Sequence, residues 1–94
     1  MGTNIVVRAD FFREGDRVIG ICPELNVSSF GNTKEEAKKS LEEALSLFLE
    51  ECERMGTLAE VLEEAGFVRE EKNEGRWVLR EPIAREEVEV AMAV

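Results

Sequence analysis

Two thiols and two aspartates are the side chains of this sequence best suited to chemistry. Cys22 and Cys52 lie thirty positions apart, form no Cys-x-x-Cys, and share the chain with no histidine. That excludes a Cys/His zinc site, a Ser-His-Asp triad and a Cys-His dyad together. A thiol becomes a nucleophile when a base or a positive field lowers its pKa, and no base stands near Cys22 in sequence. Cys22 alternates in phase with Val18 and Gly20, and Cys52 falls on the apolar stripe of a helix, so both read as core. A disulfide between them is disfavoured in a reducing compartment. Asp10 and Asp16 are the only aspartates, whereas a two-metal nuclease needs three or four converging carboxylates. Asp10 reads as a residue of a solvated sheet face and Asp16 as a turn residue. Phosphate-cradling glycine loops, metal-ligand spacings and basic aromatic patches are absent. No catalytic residue, cofactor or metal is expected, and an interaction module fits better than an enzyme.

The elements that would position these residues follow from period and punctuation. "NIVVRADFF", residues 4–12, is β-branched and aromatic, with Ile5, Val7, Ala9 and Phe11 on one face. Glu14-Gly15-Asp16 supplies a reversal, and "RVIGIC", residues 17–22, completes a hairpin. Pro23 ends that strand, and a third is expected over Leu25–Phe30, broken by Gly31 and Asn32. Thr33 and Glu36 fit a capping box. The helix that follows carries Ala37, Leu41, Ala44, Leu45, Phe48, Cys52 and Met55 at spacings of three and four. Glu35 with Lys39, and Glu50 with Arg54, are suited to i,i+4 pairing. Leu47 and Leu49 fall off the stripe and are expected against the next helix or another subunit. Gly56 closes the helix, and Thr57 with Glu60 repeats the capping pattern ahead of a short helix stopped by Gly66. A hairpin around Asn73-Glu74-Gly75, anchored by Trp77, is then expected. "EEVEVAMAV" ends the sequence with Val88, Val90, Met92 and Val94 on one face, a strand in need of a partner. The order is an α+β layer, β-β-β-α-α-β, with an antiparallel sheet of three to four strands covered on one face by a long helix.

Ninety-four residues bound the chain to one domain, 1–94, with a modest core. The opening lacks an apolar h-region and no run is long enough to span a bilayer, so a cytoplasmic protein without membrane contact is expected. The net charge of −9 is concentrated in residues 32–66, where four basic side chains face ten acidic ones. An acidic surface repels phosphate backbones and suits a basic protein partner, so no direct nucleic-acid binding is expected. Surplus glutamate on helices also serves solubility alone.

The ordered combination Cys22-Pro23-Glu24-Leu25, Gly31-Asn32-Thr33, Glu35-Glu36-Ala37 and a second alanine at Ala44 resembles the signature of the HicB-like antitoxin family, the UPF0150 proteins. The resemblance covers residues 5–49, and residues 67–94 form a strand-rich extension. It implies a β-β-β-α-β core described as a partial ribonuclease-H-like fold without catalytic residues. It implies a role as well: holding and inhibiting a HicA-type toxin, a small basic ribonuclease that uses a histidine to cleave messenger RNA. The family's DNA-binding segment does not transfer, because the dozen residues after Pro82 leave no room for a strand and two helices. Three readings stand side by side: a toxin-binding antitoxin, a stand-alone oligomeric domain binding another protein or a small ligand, and a residual nuclease using Asp10. Glu24, Glu35, Glu42 and Glu43 are the expected partner-binding residues. Leu47, Leu49, Val88, Val90 and Met92 are those expected to build a homo-oligomer, a dimer or tetramer.

Overall fold

In the computed structural model, which describes residues 4–73 and 75–93, the first apolar run divides between two partners. Its second half forms β1 (Asp10–Glu14), which pairs antiparallel with β2 (Arg17–Cys22) through a two-residue turn at Gly15-Asp16. Gly15 sits at φ +63°, the left-handed region that favours glycine. Its first half runs parallel to β5 (Arg76–Leu79), bridging at Ile5 and Trp77. There the Val6 amide donates to the Trp77 carbonyl and the Trp77 amide to the Asn4 carbonyl, each at 2.9 Å.

The third strand, β3, begins later than its composition suggests. Pro23–Asn26 is a turn in which the Asn26 amide donates to the Pro23 carbonyl at 3.2 Å, and Asn26 takes φ +56°. Leu25 is therefore a buried turn residue rather than a strand residue, and β3 spans Val27–Gly31, antiparallel to β2. The sheet order β1-β2-β3 directs Val18, Gly20 and Cys22 inward and leaves the row Phe12–Ile19–Phe30 on the opposite face. Gly20 lies opposite Phe11 in register. A Cβ there would meet the Phe11 ring at 2.9 Å and Leu41 at 3.5 Å. The glycine makes room for an aromatic neighbour under the helix.

Helix α1 (Lys34–Arg54) starts where the capping residues require. The Thr33 hydroxyl accepts from the Glu36 amide at 3.1 Å, and the Glu36 carboxylate accepts from the Asn32 amide at 2.9 Å. The return bond thus reaches one residue before the cap. Gly31 is required sterically, since a Cβ there would lie 2.6 Å from the Ala37 nitrogen and from the Glu36 Cβ. Ala37, Leu41, Leu45 and Cys52 are buried along the predicted stripe, whereas Met55, expected to join them, is exposed beyond the helix end. Leu49 packs on the core from within the chain, and Leu47 does not. Arg54 pairs with Glu51, not with Glu50; both partners are exposed, so the pair contributes at most about 1 kcal/mol.

Thr57 stands at the N-cap of the second helix, its carbonyl accepting from the Val61 amide at 2.9 Å, but its side chain makes no capping bond there. Its amide donates to the Cys52 carbonyl at 2.9 Å while the Gly56 amide donates to the Glu53 carbonyl at 3.0 Å. That closes α1 as a Schellman motif with Gly56 at φ +75°. The Thr57 hydroxyl follows its amide to the same Cys52 carbonyl. Helix α2 (Leu58–Glu64) then buries Leu62 and leads through Gly66 into β4 (Phe67–Glu70), antiparallel to β5. The expected hairpin is present, with a 3-10 turn over Glu71–Asn73; Glu74 of the expected reversal lies outside the described residues. Cys22, Leu25, Leu41, Leu45, Leu62, Phe67 and Trp77 form the core cluster, and no charged side chain is buried among the described residues.

The architecture is thus α+β, with the expected three-stranded antiparallel sheet and long helix, and with a separate two-stranded antiparallel sheet beside them. The last expected strand is absent. From Glu81 to Ala93 every residue is exposed and outside any helix or strand, and Val94 lies outside the described residues. Alternation there provides a strand-like face, but the segment pairs with neither open edge of the three-stranded sheet, β1 or β3.

Replacing Gly31 by alanine forces a Cβ into the first turn of α1 and is expected to cost about 1–3 kcal/mol by overpacking. Thr33→Ala removes only a cap and is expected to cost about 1 kcal/mol. Urea unfolding of the two variants checks the order, and a G31A midpoint at or above that of T33A would contradict the contact.

Candidate partner interface

The glutamates singled out above fall on two separate surfaces. Glu35, Glu42 and Glu43 are exposed on α1. Glu35, Lys39, Glu42, Ser46 and Glu50 follow one another at three- and four-residue steps, which places them on one outward helical face. Lys39, Glu42, Glu43, Ser46, Leu47 and Glu50 line a shallow groove there, so an exposed leucine lies among carboxylates. Beside it, Glu43 and Lys39 also border a depression formed with Arg17, Phe30 and Asn32. The Arg17 guanidinium stands over the Phe30 ring at 4.7 Å from its centroid, which holds one cation on an apolar sheet face.

Glu24 does not join that face. It lies on the other flank of α1, in a cleft lined by Leu25, Phe48, Val61, Glu64 and Ala65. The turn at Pro23–Asn26 carries it there, as Leu25 plugs into the core beside it. One carboxylate oxygen, Oε1, is cut off from solvent and has no hydrogen-bond partner among the described residues. Enclosing an unpaired carboxylate oxygen is costly, and a cation entering the cleft would offset that cost through its field, not by direct contact with the enclosed oxygen. Glu64, at the end of α2, supplies a second carboxylate over the same apolar floor. Such a cleft can receive a lysine or arginine whose stem lies on Phe48 and Val61. Nothing in the sequence signals Glu64, because α2 meets the Pro23 turn only through the tertiary fold.

The groups with chemical potential are dispersed. Cys22 is fully buried and Cys52 is buried on the stripe of α1, both as free thiols. Burial pushes the Cys22 thiol up; backbone hydrogen bonds at Leu25 and Glu24 oppose the shift, and the Glu24 and Asp10 charges add to it. Asp10 opens β1 opposite Ile21, exposed. Among the described residues no three carboxylates or thiols are grouped to hold a metal ion, and no helix is long and apolar enough to cross a membrane. Comparison with protein-family models, with curated protein sequences and with solved structures returns no match.

The raised Cys22 thiol has a pH consequence. The unfolded chain releases this proton first, so the stabilisation from the buried neutral thiol is complete below the ordinary thiol range. It declines as pH rises past about 8.5. Cys22→Ala is expected to cost about 1 kcal/mol at neutral pH. Denaturant titrations from neutral to alkaline pH should show the gap between the parent and C22A narrowing. A gap that widens would reverse the sign assigned to this group.

Proposed function

We propose that this protein is an antitoxin-like binding module that captures and neutralises a small basic HicA-type messenger-RNA interferase. The observation that carries this reading is the pair of carboxylates, Glu24 and Glu64, lining one cleft with Phe48 and Val61, a setting suited to a cation on a long side chain of another molecule. The net charge of −9 and the exposed Glu35, Glu42 and Glu43 on α1 supply long-range attraction for a basic partner. The resemblance of residues 5–49 to HicB-like antitoxins names the partner class, and in this reading the domain itself does not bind nucleic acid. A HicB-like partial ribonuclease-H-like arrangement and a cytoplasmic location belong to the same proposal.

A second reading is favoured by a different observation. Val88, Val90 and Met92 are 80%, 70% and 81% exposed, which suits a stand-alone oligomeric domain that binds another protein or a small ligand without a toxin.

Co-expression with small basic proteins encoded beside this chain separates the two. A neighbour that arrests growth alone, loses toxicity on co-expression and co-purifies is the expected result. Glu24→Gln should then weaken the complex about tenfold or more, since loss of a buried charge partner costs several kcal/mol. A triple Glu35→Lys, Glu42→Lys, Glu43→Lys variant should mainly slow association and blunt its salt dependence. Failure of every neighbouring product to bind would overturn the antitoxin reading.

A further inference from the structure

The segment after β5 projects from the body of the protein. The Arg80 amide still donates to the Gly66 carbonyl at 3.0 Å, and beyond it every residue to Ala93 is exposed. The Cα radius of gyration is 15.9 Å, against about 12 Å for a compact domain of this length. An arm of this kind normally carries flexible, polar residues. This one carries strict alternation, with Val88, Val90 and Met92 on one side and Glu87, Glu89, Ala91 and Ala93 on the other.

We infer that residues 87–93 of two copies pair antiparallel about a two-fold axis through Val90, so that the occupant of this unpartnered arm is a second copy of the same chain. The charges select the register. Residues directly opposite in an antiparallel pair share a face. Registers that set a valine or the methionine against a glutamate therefore waste the alternation. Centring on Glu89 places the two like charges directly opposite, and centring on Val88 sets Glu87 against Glu89. Centring on Val90 sets Val88 against Met92, Val90 against its own copy, Glu89 against Ala91 and Glu87 against Ala93. Val88, Val90 and Met92 of both copies are then matched with one another, the glutamates face alanines, and no two glutamates face each other. Centring on Ala91 also avoids a Glu–Glu contact and sets Val90 against Met92, but it leaves Val88 with no counterpart among the described residues. A two-stranded ribbon needs a surface to pack on. Each body offers one of matching chemistry, the uncovered row Phe12–Ile19–Phe30, with both phenylalanines more than half exposed. The arm is independent of the Glu24 cleft, so this assembly stands whether or not a toxin is bound.

Val90→Cys tests the axis on the full chain, because Cys22 and Cys52 are buried and leave a quiet background. Opposed residues of an antiparallel pair fall within disulfide reach, whereas a pair offset by two residues exceeds about 7 Å. V90C is expected to form a disulfide-linked dimer rapidly under mild oxidation, and Glu89→Cys much more slowly. Ala91→Lys then reads the register: facing Glu89 of the other copy, it should tighten the dimer by about twofold or more in sedimentation. In the register centred on Ala91 the two lysines would meet, and the dimer would weaken. Equal cross-linking of V90C and E89C, weakening by A91K, a monomer throughout the accessible concentration range, or preferred cross-linking of V90C to Ser28→Cys at the β3 edge would each overturn the proposal.

Discussion

The close approach of Gly31 to the first turn of α1 is the contact on which the rest of the fold depends. Gly31 is at once the last residue of β3, paired with Val18, and the floor beneath Glu36 and Ala37. With no side chain between them, sheet and helix meet backbone to backbone. Everything on the inner face of α1 follows from that seating. Leu41 reaches the Gly20–Phe11 position, Leu45 reaches the cluster around Cys22 and Leu25, and Cys52 ends the stripe near α2. Asn32, Thr33 and Glu36 lock the angle with two local hydrogen bonds. A larger residue at position 31 would lift the helix from its start, and the core would open from that end.

Much of this was legible in the sequence, and the pattern of what was not is physical. Period and punctuation read local states well: the Gly15 hairpin, the RVIGIC strand, the Thr33 cap, the Gly56 terminus and the Trp77 anchor need only near neighbours. Misreadings arose where one residue had two claims on it. Thr57 has the composition of an N-cap, but it follows a helix end so closely that its amide and hydroxyl go to the preceding helix. Leu25 belongs to an apolar alternation, yet the φ of Asn26 turns it into a core plug within a turn. The run at residues 4–12 has one alternation but two partners, β2 for its second half and β5 for its start. Periodicity specifies a face and does not specify who covers it. The separation of Glu24 from Glu35, Glu42 and Glu43 is of the same kind, since a carboxylate beside a helix in sequence can lie on either flank of it in space.

The surface divides along chemical lines that the core makes necessary. Few side chains are fully enclosed, and none of those is charged, so the body has a small, wholly apolar interior. A domain of this size gains little stability to spare from such a core. Apolar surface left outside it, on the Phe12–Ile19–Phe30 row and along residues 83–92, is therefore considerable for the length of the chain. Acidic residues are densest on the outer face of α1 and at the rim of the Glu24 cleft, and Glu86, Glu87 and Glu89 lie within the exposed segment itself. Apolar and acidic side chains meet at Leu47 on α1 and alternate along residues 87–90, while the Phe12–Ile19–Phe30 row is an apolar strip of its own.

The two proposed associations draw on different forces. Attraction between a carboxylate surface and a basic partner weakens as salt shortens the screening distance, to about 10 Å at 0.1 M ionic strength. Pairing through Val88, Val90 and Met92 removes apolar area and is insensitive to such screening, and it gains slightly as repulsion between Glu87 and Glu89 of the two arms is damped. The proposed partner capture and the proposed self-association would thus respond to ionic strength in opposite directions. The link between them is geometric: an assembly joined through arms beyond Arg80 leaves α1 and the Glu24 cleft of each copy unobstructed by the pairing itself. Two copies then present two clefts at a fixed separation, and a partner that is itself paired would gain from effective concentration without any new contact.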